Sequence, residues 1–453
     1  MCRDRVKLST ELLPLLKLAG PVILAEIGWM GMGIVDTMMV GPLGPAAIGA
    51  TGLGSGVFTS IAIFGMGLML GLDALVSQAY GSGDSDECER WLHHGVLLAL
   101  VTGPVVMTLT WLVYLTLDRW GLHPDILALV KPYLSVIAVG AWPLLVYAAF
   151  RRYLQGMHIV RPIMYALISA NLINAGANWL LIYGNLGFPA LGVAGSAWAT
   201  TAARVYMAAF LFVAIRGEHK RRADRRVRLT IEPARFRRLI ALGSPAAATI
   251  TLEVGVFAAA TALAGKLDPV SAGAHQIALN LASLAFMVPL GLASSGAVRV
   301  GHAFGARDPH RAARAGWAAL ATSSAIMLAI GLVFFIWPVP LLRIFTGDSR
   351  VIEIGVWLLA IAAAFQLFDG TQAVATGILR GTGDTRTPMI TNVVGHWVLG
   401  LPIGYVLCFV FGWGVTGLWI GLSVGLVFVS AVLTAAWWRK AHAMQNAKCK
   451  MQI

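Results

Sequence analysis

The chain has 453 residues, 58% of them hydrophobic and only 12% charged, with a net charge of +13. Soluble domains carry about 25% charged residues, so an ordinary soluble domain is excluded and an all-α polytopic membrane protein is expected. Apolar runs long enough to cross a bilayer, about 20 residues each, are predicted at 12–37, 46–75, 93–116, 129–149, 163–183 and 190–214. Six more follow at 239–264, 272–298, 315–337, 352–377, 388–411 and 414–437. The charged opening MCRDRVKLSTE is not expected to act as a signal peptide, because the apolar segment after it is far longer than a signal core. Cys2, Cys88, Cys408 and Cys449 show neither disulfide nor metal-ligand spacing.

The placement of the basic residues argues against a nucleic-acid partner. The segment 216–238, RGEHKRRADRRVRLTIEPARFRR, holds ten Lys/Arg against three acids. Further basic residues stand at Arg3, Arg5, Lys7, Arg151, Arg152, Arg161, Arg307, Arg311, Arg314, Arg380, Arg386, Arg439 and Lys440. With twelve spans all of these fall on one side. The opposite side holds only Arg119, Lys131, Lys266, Arg343 and Arg350. The positive-inside rule then makes both termini and the 216–238 segment cytoplasmic. That segment reads as a topology and lipid-headgroup determinant.

The chain is written twice in the same order. LGLDALVSQAYGSGD (70–84) answers SSGAVRVGHAFGARD (294–308) at a shift of 224, which also carries Pro21 to Pro245. LQGMHIVRPIM (154–164) answers LRGTGDTRTPMI (379–390), with Gly156 matching Gly381 at 225. GVAG (192–195) answers GVTG (414–417) at 222. A nearly constant shift means a duplicated unit of six helices. An even number makes the two copies enter from the same side, a parallel repeat of the kind found in transporters. The expected organisation is an N-terminal bundle (1–215), a basic cytoplasmic linker (216–238) and a C-terminal bundle with a short cytoplasmic tail (239–453).

Five acids lie within spans: Glu26, Asp36, Asp73, Glu253 and Asp369. A charge at a helix centre costs about 2.5–3.5 kcal/mol on insertion scales, and such residues face cavities or partners. Burial favours the neutral form of a carboxyl, so a buried acid can exchange a proton near neutral pH. Asp36 ends the first span. Asn174 and Asn178 share a helix face at i, i+4 in the fifth, and Thr200 lies in the sixth. These offer oxygen ligands of the kind a hard cation prefers; the alternative is interhelical hydrogen bonding by the amides. In the second half, Glu253 and Asp369 are accompanied by Gln276 and Asn280, again i, i+4. His275 reads as a packed or interfacial group. Glu26 fits either role, and Asp73, close to Gln78 and the GSGD loop, suits a structural hydrogen bond.

Other look-alikes carry less. GLGSG (52–56) lacks the strand–turn–helix setting of a dinucleotide site and suits tight helix packing. His93 and His94 have no metal-ligand partners in the sequence. HAFGARD (302–308) matches QAYGSGD, where Gln78 replaces the histidine, so it reads as a repeated loop and not as an acid–base pair. The abundant Trp, Phe and Met residues suit lipid, core or an adaptable pocket for apolar cations.

Two stretches, AHQIALNLASLAFMVPLGLASSGAVRVGHAFG (274–305) and FDGTQAVATGILRGTGDTRTPMI (368–390), resemble the multidrug and toxic compound extrusion (MATE) family in its NorM-like branch. LAGPVILAEIGWMGMGIVDTMMVG and VSQAYGSGD fit as well, and the likeness covers nearly the whole chain. The resemblance implies a secondary antiporter, not an enzyme, exporting cationic amphiphiles in exchange for Na⁺ or H⁺ by alternating access. It implies a monomer in the bacterial cytoplasmic membrane, with no cofactor beyond the coupling ion and no nucleic-acid partner. The family's coupling carboxylates carry over to Asp36, Glu253 and Asp369, and its first-half polar cluster to Asn174, Asn178 and Thr200. Some relatives have an acid at the position of Asn178, which favours the second-half acids as the coupling site. A lipid or oligosaccharide-lipid flippase of the same superfamily is the nearest rival. Flippases are expected to carry extra helices or cationic cavities, whereas the buried charges here are acidic. A multi-pass membrane enzyme would need a catalytic cluster in its loops, and the sequence shows none.

Overall fold

The computed structural model describes residues 9–222 and 230–451. The termini with Cys2, Arg3, Arg5 and Lys7, and the middle of the basic segment, 223–229, lie outside the described residues. So does the side chain of Cys449.

Sixteen α-helices follow one another without a strand among the described residues. They are α1 (Ser9–Val40), α2 (Pro45–Met69), α3 (Gly71–Gly81), α4 (Ser85–Thr116), α5 (Pro124–Val139), α6 (Ala141–Gly156), α7 (Arg161–Tyr183) and α8 (Val193–Arg222). Then come α9 (Pro233–Ala264), α10 (Pro269–Gly305), α11 (Pro309–Ile336), α12 (Pro338–Arg343), α13 (Ser349–Gly381), α14 (Arg386–Asn392), α15 (Leu401–Tyr405) and α16 (Gly414–Met451). Among the described residues eleven segments are long and apolar enough to cross a bilayer, and the pair α5–α6, bent by 43°, makes a twelfth if it is one span. The bend falls at Gly140. The helices exceed the apolar runs because nothing stops a helix at the edge of the hydrocarbon. Several residues counted from sequence as loop charges are therefore helical, and Arg151 and Arg380 are buried.

Caps and turns repeat with the sequence. Asp84 caps α4 by accepting from Glu87 N, and Asp308 caps α11 by accepting from Arg311 N. Gly83 and Arg307 both hold positive φ just before these caps, as do His158 and Gly383 in the later repeat. Asp268 caps α10; bonds from the Ser271 hydroxyl and amide hold its carboxyl below the usual range. The packing repeats too. Asn171 Nδ2 donates to Gly28 O at 3.0 Å, and Trp397 Nε1 donates to Leu252 O at 3.0 Å. A Cβ on Gly195 would meet Leu181 O, and one on Gly417 would meet the backbone of Leu407. These pairs fix the register as 224 along α1/α9, 226 along α7 and its counterpart, and 222 along α8/α16. That counterpart runs Arg386–Val410 and includes two π-helical stretches, Val393–Gly400 and Val406–Val410. There Gly400 and Gly404 lie against Gly421, where an added Cβ would stand 2.2 Å from Gly404 N and 2.6 Å from Gly400 O, the small-residue packing that membrane helices favour.

Two compact units result: Leu24–Ala247, and Met1–Ile23 with Ala248–Ile453. The chain-order division at 215 and 239 differs from this. The opening turns of α1 group with the second-half helices, where Leu15 and Ala19 share a core with Leu292, Ala293 and Val374. The opening turns of α9 group with the first half, where Leu239 and Ala247 join Phe58, Leu72 and Tyr133. The exchange is reciprocal. Gly67 leaves room for Ala247 and Gly291 for Ile23, and both pairs obey the shift of 224. Ion pairs follow the same rule with the charges swapped: Glu11 lies 3.8 Å from Arg311, and Arg235 bonds Glu87, its counterpart.

Candidate functional site

In the first unit α1, α7 and α8 converge on Asp36. Asn174 Nδ2 donates to its Oδ1 at 3.0 Å, Asn178 Nδ2 to the same oxygen at 2.6 Å, and Thr200 Oγ1 to Oδ2 at 2.7 Å. Asn178 Nδ2 also meets Asn174 Oδ1 at 3.2 Å. All four residues are buried. The four sequence candidates thus come together, but their polarity differs from expectation. The amides and hydroxyl point hydrogens at the carboxylate, as donors solvate an anion. Asn178 Oδ1 is the one side-chain oxygen in the cluster without a donor.

In the second unit α9 and α13 bring Glu253 and Asp369 together. Gln372 Nε2 donates to Glu253 Oε1 at 2.7 Å and stands 3.4 Å from Asp369 Oδ1. Asp369 is 5% exposed and Glu253 half-buried. One amide therefore bridges two carboxylates, and no basic side chain among the described residues acts on either. Sequence reading missed Gln372, although it sits one helical turn after Asp369 and so on the same face. Gln276 and Asn280 are exposed on α10 and bond each other at 3.2 Å.

The remaining sequence candidates within the spans, Glu26, Asp73 and His275, have structural partners. Glu26 forms a buried ion pair with Arg151. Asp73 lies 3.6 Å from Arg152 Nη1. His275 accepts from Trp419 Nε1 at Nδ1 (3.0 Å) and meets Thr261 Oγ1 at Nε2 (3.0 Å). That hydroxyl donates to Phe257 O, so the imidazole is the neutral Nε2–H tautomer.

The internal repeat gives each cluster a counterpart. Glu253 and Gln372 correspond to Trp29 and Tyr147, whose rings are parallel to within 4° with centroids 6.5 Å apart; Asp369 corresponds to Leu144. In the other direction Asp36 corresponds to Ala260, Asn174 to Gly400, Asn178 to Gly404 and Thr200 to Leu422. Ala260 and Leu422 belong to one apolar cluster with Val256, Trp397 and Leu401. Each half has thus kept a polar cluster where the other is apolar.

A family model described as MatE matches residues 21–180 and again 245–406. The chain belongs to the MatE family. The two matches begin 224 residues apart (245 − 21), the shift of the repeat. A probable multidrug resistance protein NorM of Mesorhizobium japonicum is 37% identical over 442 residues, covering 95% of this chain and 94% of its own. The multidrug resistance protein NorM of Aliivibrio fischeri is 32% identical, covering 94% of each chain. Among solved structures, the eukaryotic MATE transporter AtDTX14 superposes with a TM-score of 0.85 at 20% identity, over 97% of this chain and 99% of its own. A MOP-superfamily transporter from Pyrococcus furiosus superposes at 0.86 and 19% identity, over 95% and 96%. These likenesses establish the fold of two six-helix halves. The chain is a multi-pass membrane transporter and not an enzyme.

Proposed function

We propose that this transporter exports cationic amphiphilic compounds by alternating access, in exchange for Na⁺ or H⁺ taken up at Glu253 and Asp369. The observation that carries the reading is the pair of carboxylates served by one amide and by no base. Two such acids repel each other, and a membrane interior does not solvate them. A proton or a small cation relieves both costs, so the pair has a built-in demand for what an ion gradient delivers. Coupling follows when loading of this pair and binding of the drug favour different conformations. Asp36, with its three donors, serves the first half. The NorM relatives, named as multidrug resistance proteins, support drugs as cargo.

The test is efflux from proteoliposomes under imposed Na⁺ or H⁺ gradients, paired with dye accumulation in an efflux-deficient bacterium. Ethidium-like dyes are expected to be extruded, and one of the two gradients to drive it. Unchanged accumulation, with the protein confirmed in the membrane, sinks the export reading and favours a flippase.

The reading also places the protein in the bacterial inner membrane with both termini and the 216–238 segment cytoplasmic, because the basic residues gather on that side. In a chain free of native cysteines, a cysteine at exposed Thr230 should resist impermeant thiol reagents added to intact cells. It should react once the cells are opened. Ready labelling from outside overturns the orientation.

A further inference from the structure

One charged side chain beside the first-half cluster, Arg204, belongs to neither acidic cluster's hydrogen bonds. Arg204 lies on α8 one turn beyond Thr200, so the two share a face. It is 7% exposed, and its guanidinium packs over the Phe58 ring at 4.5 Å. Its Nη1 has no hydrogen-bond partner among the described residues. Gly140 makes room for it: a Cβ there would stand 2.8 Å from Nη1. No carboxylate lies within ion-pair distance of it among the described residues; the acid nearest along its helix face is Asp36, to which Thr200, one turn earlier, donates at 2.7 Å. Tyr133 on α5 is the other ionisable group facing both Arg204 and Asp36. A buried cation without a close partner is costly, so its retention calls for a compensating role.

The internal repeat supplies the comparison that a single site lacks. At the shift of 222 Arg204 corresponds to Leu426, which is fully buried in an apolar core. At the shift of 224 Asp36 corresponds to Ala260. In the half without the acid the base is also absent, and both positions are filled by aliphatic side chains. The second-half carboxylates show the converse arrangement, two acids and no base.

We propose that Arg204 is the resident counter-cation of Asp36, which keeps that carboxylate ionised and closes the first-half cluster to inorganic cations, leaving ion coupling to Glu253 and Asp369. The donor geometry agrees. Both Asp36 oxygens are taken by N–H or O–H groups, and only Asn178 Oδ1 faces no donor, too few free oxygens for a sodium cage, which needs several oxygens. Arg204 thereby decides which of two acidic clusters takes the ion. The inference rests on the coupling reading above, but its test does not use transport, so either can fail without the other.

Infrared spectroscopy of the purified protein in lipid nanodiscs, in sodium-free buffer at pH 7, reads the protonation state of Asp36. The difference between the parent and Asp36→Asn should contain no protonated-carboxyl band. Arg204→Gln should gain such a band, and Asp36→Asn/Arg204→Gln should lose it again, whereas Arg204→Lys should match the parent. An Asp36-dependent band in the parent, or none in Arg204→Gln, overturns the proposal. A thermal-melting cycle keeps it testable if a single variant folds poorly. Asp36→Asn and Arg204→Gln should each lower the midpoint, and the double variant should recover at least half of the loss. Simple addition of the two losses means that the charges do not compensate each other, and the proposal falls.

Discussion

Asp369→Asn and Glu253→Gln are each expected to insert and fold yet lose gradient-driven efflux to background. Replacing a buried carboxylate by an amide removes an insertion cost of about 2.5–3.5 kcal/mol, so folding is not the weak point. Gln372 Nε2 can still donate to the new amide oxygens, which preserves the bridge between α9 and α13. What is lost is the charge. An amide neither releases a proton nor gives a sodium ion a full negative partner. Drug binding without a gradient is expected to survive in at least one of the two variants. Asp36→Asn should also impair export, for a different reason: it leaves Arg204 buried beside a neutral cluster. The measurement is dye efflux per unit of folded protein with the gradient ion varied. Parental pumping rates in both second-half variants would make the carboxylates structural and end the coupling mechanism.

The second large effect is on stability. Glu26→Leu and Arg151→Leu should each sharply reduce the yield of folded, monodisperse protein, while the double variant recovers most of it. Glu26 on α1 and Arg151 on α6 pair inside the first unit, both buried. Removing one member of a buried pair strands the other, at about 3–5 kcal/mol, whereas replacing both by packed apolar groups is close to neutral. Trp29 and Tyr147, stacked beside this pair, supply the apolar surface for two leucines. The check is thermal melting in detergent followed by size-exclusion chromatography. Equal damage in single and double variants would show that each side chain acts through separate contacts.

Much of the architecture was legible because the bilayer imposes it. A run of about 20 apolar residues has few alternatives to a spanning helix, and a duplication survives as a constant shift. The Asp36 cluster was legible for a local reason: Asn174 and Asn178 stand one turn apart, so whatever meets one meets the other. The direction of their amides was not legible, since an asparagine offers both a donor and an acceptor. Gln276 and Asn280 carry the same spacing, and they do meet each other on an exposed face of α10, while Gln372 bridges the acids. Periodicity reports which residues share a face and not which neighbour the face meets. Arg151, Arg152 and Arg380 read as loop charges because a span was ended where its apolar run ended. Arg204, inside an apolar run, gave no pattern of its own.

The reciprocal exchange of the first turns of α1 and α9 bears on the order in which the protein can be completed during synthesis. Glu11 bonds Arg299, a residue 288 positions later. At ~5–20 residues per second, the ribosome takes roughly 15–60 s to deliver that partner after Glu11 has been made. During that interval α1 has its later turns matched by α6 and α7, while its opening turns have nothing to pack against. The unit Leu24–Ala247, by contrast, has every residue it needs once the opening turns of α9 emerge. The second unit therefore closes around a piece of helix made first and used last, and a nascent chain halted before α10 carries an unmatched acid at its leading end.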